Sequence, residues 1–294
     1  MSQTAQLADR PAPAASEPAG QLARGRRPRN VAVWVSCAFL ALVTFTAIFP
    51  GLVSPGSPLA LHPAVVLKAP AAAHLLGTDE YGRSVLALLV YGARAALIVG
   101  LVCAAAGGII GSVMGIVAGF FGGVADQSIM RINDILMCFP GILLALLVSA
   151  ALGSSLENEI IAVTIGTVPM YARVARGETL RVRGMLYIDG AYVAGLPRRL
   201  IIRRHVLPNV LAPLIVIATL AVGVSIVLAA SLSFLGLGPV GGVPDWGSLL
   251  ADGETNISVA WWISTFPGLA ITLVVVATNV LGDWLRDRLD VAAR

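Results

Sequence analysis

One lysine, three histidines and three cysteines are spread thinly over 294 residues, and each scarcity closes a class of function. A phosphate-binding P-loop needs a lysine at the end of its glycine run. The single lysine, Lys68, lies instead in V-V-L-K-A-P, so this chain does not burn ATP alone. His62, His74 and His205 fall in separate loops and make no H-E-x-x-H or other ligand pair. Cys37, Cys103 and Cys138 each sit inside an apolar segment, too far apart for a disulfide framework or a metal site, and read as small buried apolar residues. No Ser/His/Asp grouping is present, so no catalytic residue, no metal and no cofactor is expected in this chain. Charge is scarce too. At 12% charged residues the chain holds about half the share of a soluble domain, and 57% of it is apolar with a mean hydropathy of +0.86. The net charge of +4 does not point to nucleic acid, because the basic residues lie in loops between apolar runs.

Those runs are the main content of the sequence. Residues 1–30, rich in Pro, Ala and Arg without apolar periodicity, read as a disordered tail. An apolar run from Val31 to Phe49 follows, too long for a signal-peptide core and without an A-x-A cleavage site, which predicts a first membrane helix over residues 31–53. Pro and Gly punctuate a loop from Pro50 to Leu76, within an outer segment read as 54–90. Further spans are predicted at about Gly92–Phe121, Asp134–Leu152, Glu157–Arg173, Val210–Leu235 and Val259–Leu285. No polar linker divides them, so 91–294 reads as one core. The expected fold is all-α: a polytopic membrane protein of six transmembrane helices, with a cytoplasmic coupling helix between the fourth and fifth.

Orientation follows from the arginines. With the amino terminus inside, the inner segments hold five basic residues in the tail, Arg131, eight between Arg173 and Arg204, and three at the carboxyl end. Only Lys68, Arg83 and Arg94 remain outside, so both termini are expected in the cytoplasm of a multi-pass protein of the cell membrane. The acidic residues, Glu157, Glu159, Asp245 and Asp252 among them, all fall in loops or at span ends. A proton- or sodium-coupled mechanism therefore has no evident carrier here. Within the second span Gly107, Gly111, Gly115, Gly119 and Gly123 recur every four residues, a bare stripe that lets helix backbones approach closely; the sequence leaves open whether the partner is another span or another chain.

The stretch Tyr187–Asn209 is a basic, loop-sized insert between long apolar segments. Gly195 can close a short helix in the left-handed conformation, Pro197 follows where that helix cannot continue, and Arg198, Arg199, Arg203 and Arg204 precede Leu207-Pro208. A surface helix-turn-helix of this kind is a docking device for a soluble partner. The order of residues resembles the signature loop of bacterial ATP-binding-cassette importer permeases, E-A-A, three residues, G, nine residues, I-x-L-P. Asp189-Gly190-Ala191 stands at E-A-A, Gly195 at the glycine, His205 at the isoleucine, and Leu207-Pro208 closes the pattern. In that family the loop carries the coupling helix that sits in a cleft of the ATPase subunit. Three further stretches are similar to the C-type subunits of dipeptide, oligopeptide and nickel importers. They are His74–Arg83 with Tyr91-Gly92-Ala93-Arg94, then Ser231–Gly238 with Pro244-Asp245-Trp246-Gly247, and last Phe266–Ile271 with Asn279–Asp287. Many members carry a glutamate two residues before the serine of S-L-S-F-L-G-L-G, and Ala229 stands there instead.

The resemblance implies a passive permease subunit, not itself an enzyme, forming half of a peptide pathway in the cell's inner membrane. It implies a homologous B-type permease beside it, two cytoplasmic ATPase domains that hold ATP and Mg, and an extracytoplasmic solute-binding protein that largely chooses the cargo. Nickel chelate, glutathione and haem are the other cargoes it allows; an integral membrane enzyme or scaffold is the alternative from another class. The orientation predicts that cysteines introduced beside Glu157 or Asp252 are labelled by an impermeant reagent on intact cells. One beside Arg199 should be labelled only after permeabilisation, and the reverse pattern would overturn the topology.

Overall fold

A computed structural model describes residues 27–239 and 242–292, which leaves the tail reading for residues 1–26 outside the described residues. The chain is all-α, with no strand among the described residues beyond two isolated bridges in the loop before α3, Ala71 with His74 and Thr78 with Ser84. In order the helices are α1 (Arg27–Ile48), α2 (Pro50–Val53), α3 (Val85–Phe121), α4 (Gly123–Cys138), α5 (Gly141–Leu152), α6 (Leu156–Arg183), α7 (Leu186–Val193), α8 (Arg198–Ile201), α9 (Leu207–Phe234), α10 (Trp246–Thr255) and α11 (Trp262–Ala292). A π-helical turn, Ile202–Val206, joins α8 to α9 without a break. Among the described residues, four helical stretches are long and apolar enough to cross a membrane by themselves: α1, α3, the continuous Arg198–Phe234 and α11. α4 and α5 together make a fifth, bent by 92°.

Several boundaries differ from those predicted, each for a local reason. The first helix starts at Arg27 and stops at Ile48, because Pro50 opens a separate short helix. The second begins at Val85, seven residues before Gly92, where the Ser84 hydroxyl accepts from the Ala87 amide as N-cap. The stretch Asp134–Leu152 is not one helix. Pro140 forces the preceding Phe139 out of the helical region (φ −89°, ψ 134°), and the chain turns there. α6 runs ten residues past Arg173 to Arg183, since nothing before Gly184 stops it. The helix expected to begin near Val210 begins at Arg198, directly after Pro197 as N-cap. α11 begins at Trp262, not Val259. Of the cysteines only Cys103 is fully buried; Cys138 is exposed, contrary to expectation, because it ends α4 at the bend.

The glycine stripe finds its partner within the chain. Along α3, Gly107 faces Thr167, Gly111 faces Val168 and Tyr171, Gly115 faces Ala172 and Ala175, and Gly119 faces Arg176 and Thr179 of α6. A Cβ added at Gly111 would stand 2.5 Å from the Val168 carbonyl oxygen, and one at Gly119 2.9 Å from that of Arg176. Only absent side chains allow backbones to come this near, and in lipid such packing replaces the hydrophobic drive. Gly123 leaves the stripe. With φ +56° and nothing within 4 Å, it starts α4 after the chain turns at Gly122. Gly100, on another face, meets Ile226 of α9.

Because residue numbers rise together along the stripe, α3 and α6 run parallel. α9 is antiparallel to both: its end, at Ser233, meets the start of α6 at Glu159, and its beginning, at Pro208, lies with Glu178 and Arg181. α11 returns antiparallel to α9, with Gly223 against Thr278 and Gly282 against Thr219. Gly111→Ala or Gly115→Ala drives a methyl into backbone that cannot retreat and should destabilise the purified chain by about 1–3 kcal/mol. Gly177→Ala, exposed on α6 with nothing within 4 Å, should be neutral or slightly stabilising. Thermal melting in detergent separates the two; equal melting of Gly115→Ala and wild type would refute backbone-limited packing.

Candidate functional site

Two constellations stand at opposite ends of the bundle. The first is the loop 187–209. α7 ends in a Schellman motif: the Leu196 amide donates to the Ala191 carbonyl (3.1 Å) and the Gly195 amide to that of Tyr192 (3.0 Å), with Gly195 at φ +76°. Pro197 then caps α8. Pro208, lacking an N–H, would press its ring on the carbonyl four residues back. The helix widens just there: the Leu207 amide donates to Ile202, five residues away, in a π turn. Arg203, Arg204 and His205 all ride on that turn, and the His205 ring lies 5.8 Å from that of Tyr187, tying the two arms of the loop together.

The loop is anchored from below. Ile188, Ala191, Ile201 and Val206 are buried in one cluster with Ile116 and Phe120 of α3, Tyr171, Ala175 and Val182 of α6, and Val210 and Leu214 of α9; Leu207 packs against it. The outer face of α7 is apolar and open. Leu186 is 86% exposed and Val193 90%, with Asp189 and Gly190 exposed between them. Of the predicted residues, Ala191 therefore faces inward, and Asp189, Gly190, Gly195, Arg203, Arg204 and Pro208 face outward. Gly190 has open space around it, so alanine would fit there.

The second constellation was not legible as a site. Glu159, classed above with residues at span ends, stands in the first turn of α6 but is only 2% exposed. Ser233 of α9 donates to its Oε1 at 3.2 Å, and Asp245, 7% exposed, lines the same small cavity with Trp246, Val99 and Ala229. A carboxylate thus lies beside Ala229, brought from α6. The signal was its spacing: Glu159, Ala162, Val163 and Thr167 share one helix face, and all four are buried. Asp245 caps α10 by accepting from the Ser248 amide (2.9 Å). Around it the Trp246 indole donates to Leu89 (2.8 Å) and Gly247 rests on the Ala230 carbonyl. A neighbouring lock holds the stretch 74–83. Asp79, fully buried, accepts from the Tyr81 and Arg83 amides and from the Arg83 guanidinium, which reaches Asp252 at 3.6 Å. The Trp262 indole donates to Thr78 at 3.0 Å, and Gly77 and Gly82 sit against Trp262 and the His62 backbone at positive φ.

Burial pushes the Asp245 carboxyl above its ordinary range, against the hydrogen bond from the Ser248 amide. A raised folded-state pKa means that ionisation opposes folding. The penalty is absent below the unfolded-state value and grows as pH rises through the folded-state one. Asp245→Asn keeps a cap and removes the charge, so its melting temperature should match wild type in acid and exceed it at neutral pH. Asp245→Ala loses the cap and should cost about 0.5–2 kcal/mol in acid, and less at neutral pH, where it also removes the burial penalty. A pH-independent offset for the asparagine variant would contradict the burial account.

The family model for the binding-protein-dependent transport system inner membrane component matches residues 111–294. A dipeptide transport system permease protein of Alkalihalophilus pseudofirmus is 41% identical over 89% of this chain and 86% of its own length. A probable D,D-dipeptide transport system permease protein of Escherichia coli is 40% identical over 87% and 86%. A glutathione transport system permease protein of Pectobacterium atrosepticum is 42% identical over 76% and 74%. Among solved structures, a chain of the inward-facing MetNI methionine ABC transporter superposes with a TM-score of 0.57, covering 69% of this chain and 96% of that one; at 19% identity the likeness is one of fold.

Proposed function

Because the chain belongs to the family of binding-protein-dependent transport system inner membrane components, we propose that it forms one half of the membrane pathway of an ATP-driven peptide importer. A second, homologous permease completes the pathway. Two ATPase domains hold ATP and Mg on the cytoplasmic side, and a solute-binding protein delivers cargo outside. Peptide is the favoured cargo because relatives about 40% identical along most of their length are permeases for dipeptides and D,D-dipeptides. Glutathione, itself a small peptide, belongs to the same chemical class.

Six crossings fit the helix directions. α3 and α6 are parallel, which requires a return between them, and the bent α4–α5 pair supplies it. α6 is too charged to count as a span on composition alone, yet at about 42 Å it is long enough, and it lies along α3 throughout the stripe. With six crossings both termini fall on the side rich in arginine, the cytoplasm.

The observation that carries the coupling role is the outer face of α7. Leu186 and Val193 are left bare in a loop flanked by arginines, while the same helix is tied to the core of α3, α6 and α9. A soluble partner that grips this face moves three spans. Gly195 has open space around it, so only its positive φ restricts what may replace it. Gly195→Asn should therefore keep uptake, since asparagine tolerates this conformation. Gly195→Val should cut uptake about tenfold or more and release the ATPases from a tagged subunit while leaving it in the membrane. Full transport by Gly195→Val at normal abundance would sink the docking role.

A further inference from the structure

We propose that α4 lies along the inner surface of the membrane, with its bare apolar side seated at the boundary between headgroups and acyl chains of that leaflet. The proposal rests on the membrane reading given above, but not on the cargo or on the ATPases. α6 serves as a ruler of depth. At its outer end the Asn158 side chain donates to the Leu152 and Gly153 carbonyls, at 2.9 and 3.0 Å, where α5 stops. At its inner end Arg176 pairs with Asp126, and Arg173 with Asp134 at 3.1 Å; both acids belong to α4. From Asn158 to Arg176 runs about 27 Å of helix, close to the ~30 Å thickness of bilayer hydrocarbon. α4 is therefore tied on at the inner boundary.

Its direction follows from the same two pairs. Between Asp126 and Asp134 α4 advances eight residues, about 12 Å, while the partner arginines are three residues apart on α6, about 4.5 Å. α4 thus runs mostly across α6, at a shallow angle to the membrane plane. The climb is made at the bend that follows: Phe139 is extended ahead of Pro140, and Gly141 already lies against Gly166, seven residues above Arg173. The surface of α4 is sorted to match. Asn133 turns inward and is fully buried, while Asp126, Gln127 and Asp134 form a polar edge. Val124, 79% exposed, and the exposed Ile132 and Ile135 stand on a third side, where spacings of eight and three residues keep them in line. Phe121 at the end of α3 and Phe139 at the bend are exposed at the two ends of this stripe, which joins it to the lipid-facing surface of the spans. Arg131 borders the stripe, and its stem can rest on apolar surface while its head stays at the phosphates. A helix at this depth, apolar on one side and polar on another, suits the membrane interface.

The test uses the intact transporter, isolated on a tag carried by this chain and reconstituted into vesicles of phosphatidylethanolamine and phosphatidylglycerol. With Cys37, Cys103 and Cys138 replaced by alanine, a nitroxide is attached in turn at Val124→Cys, Ile132→Cys, Ile135→Cys and Gln127→Cys. Spin relaxation then reads collisions with lipid-soluble oxygen and with a water-soluble nickel chelate. The three labels on the bare side should favour oxygen, and the label at Gln127 should favour nickel. The depths at Val124 and Ile135 should differ by about 6 Å, the shallow slope set by the ion pairs, whereas a membrane-crossing α4 would separate them by about 16 Å. The larger separation would overturn the proposal. So would nickel preference at all three bare-side labels, which would put that side in water. Low collision with both reagents would overturn it as well, since protein, the second permease or an ATPase, would then cover the stripe. A label at Ile109→Cys, exposed on α3 beside the middle of the glycine stripe, reports on the membrane reading separately: deep, oxygen-favouring collisions there keep that reading whatever α4 does.

Discussion

The close approach of α3 and α6 is the contact on which the rest of the structure depends. α6 would be a poor membrane helix alone, with two glutamates in its first turn and two arginines in its last. Lipid offers no reward for gathering helices, so α6 must be held by packing, and the four glycines of α3 bring it to backbone distance. Once α6 is fixed, its ends are fixed. One end carries Glu159 to the outer lock; the other carries Arg176, Arg181 and the start of the loop at Leu186. Arg176 pairs with Asp126 and Arg173 with Asp134, which also ties α4 beneath the bundle.

The loop shows how a flexible-looking sequence becomes ordered. Its two arms are helical, joined by a Schellman turn at Gly195 and pinned by buried Ile188 and Ile201. The second arm does not end at Pro208 but flows through a π turn into α9, which runs to Phe234. Arg203 and Arg204 therefore sit on a helix continuous with the one that crosses the bundle. The structure places no glycine between Arg198 and Val222, where a hinge would be cheap.

At the other end burial does different work. Glu159 and Asp245 are withdrawn from water at the meeting point of α6, α9 and α10, with Ser233 donating to Glu159. Burying carboxylates opposes folding unless hydrogen bonds compensate. For Glu159 the compensation comes from Ser233 on a separate helix, so it is lost when the two part; Asp245 is compensated within α10 by the Ser248 amide. Asp79 is compensated locally, by the Tyr81 and Arg83 amides and the Arg83 guanidinium, while Arg83 also reaches Asp252 of α10. The stretches His74–Arg83 and Pro244–Gly247, which carry the family resemblance, are in this light the clasps that fasten the end of the bundle opposite the loop 187–209.

What the sequence determined by itself was whatever depends on composition and local backbone preference. Apolar runs gave the helices, the arginines gave the predicted sidedness, and Gly195 and Pro197 gave the turn of the loop, because each acts over one or a few residues. Only the tertiary structure decided what faces what. The glycine stripe announced a close contact, but its partner could be identified only once α6 lay against it. Glu159 looked like a residue at a span end because its exposure depends on Ser233 and Asp245, 74 and 86 positions away in sequence. The passage through Pro208 depended on a π turn flanked by Val206 and Val210, which are buried in one cluster with residues of α3 and α6. Propensity marks where a helix can end; long-range burial decides whether it does.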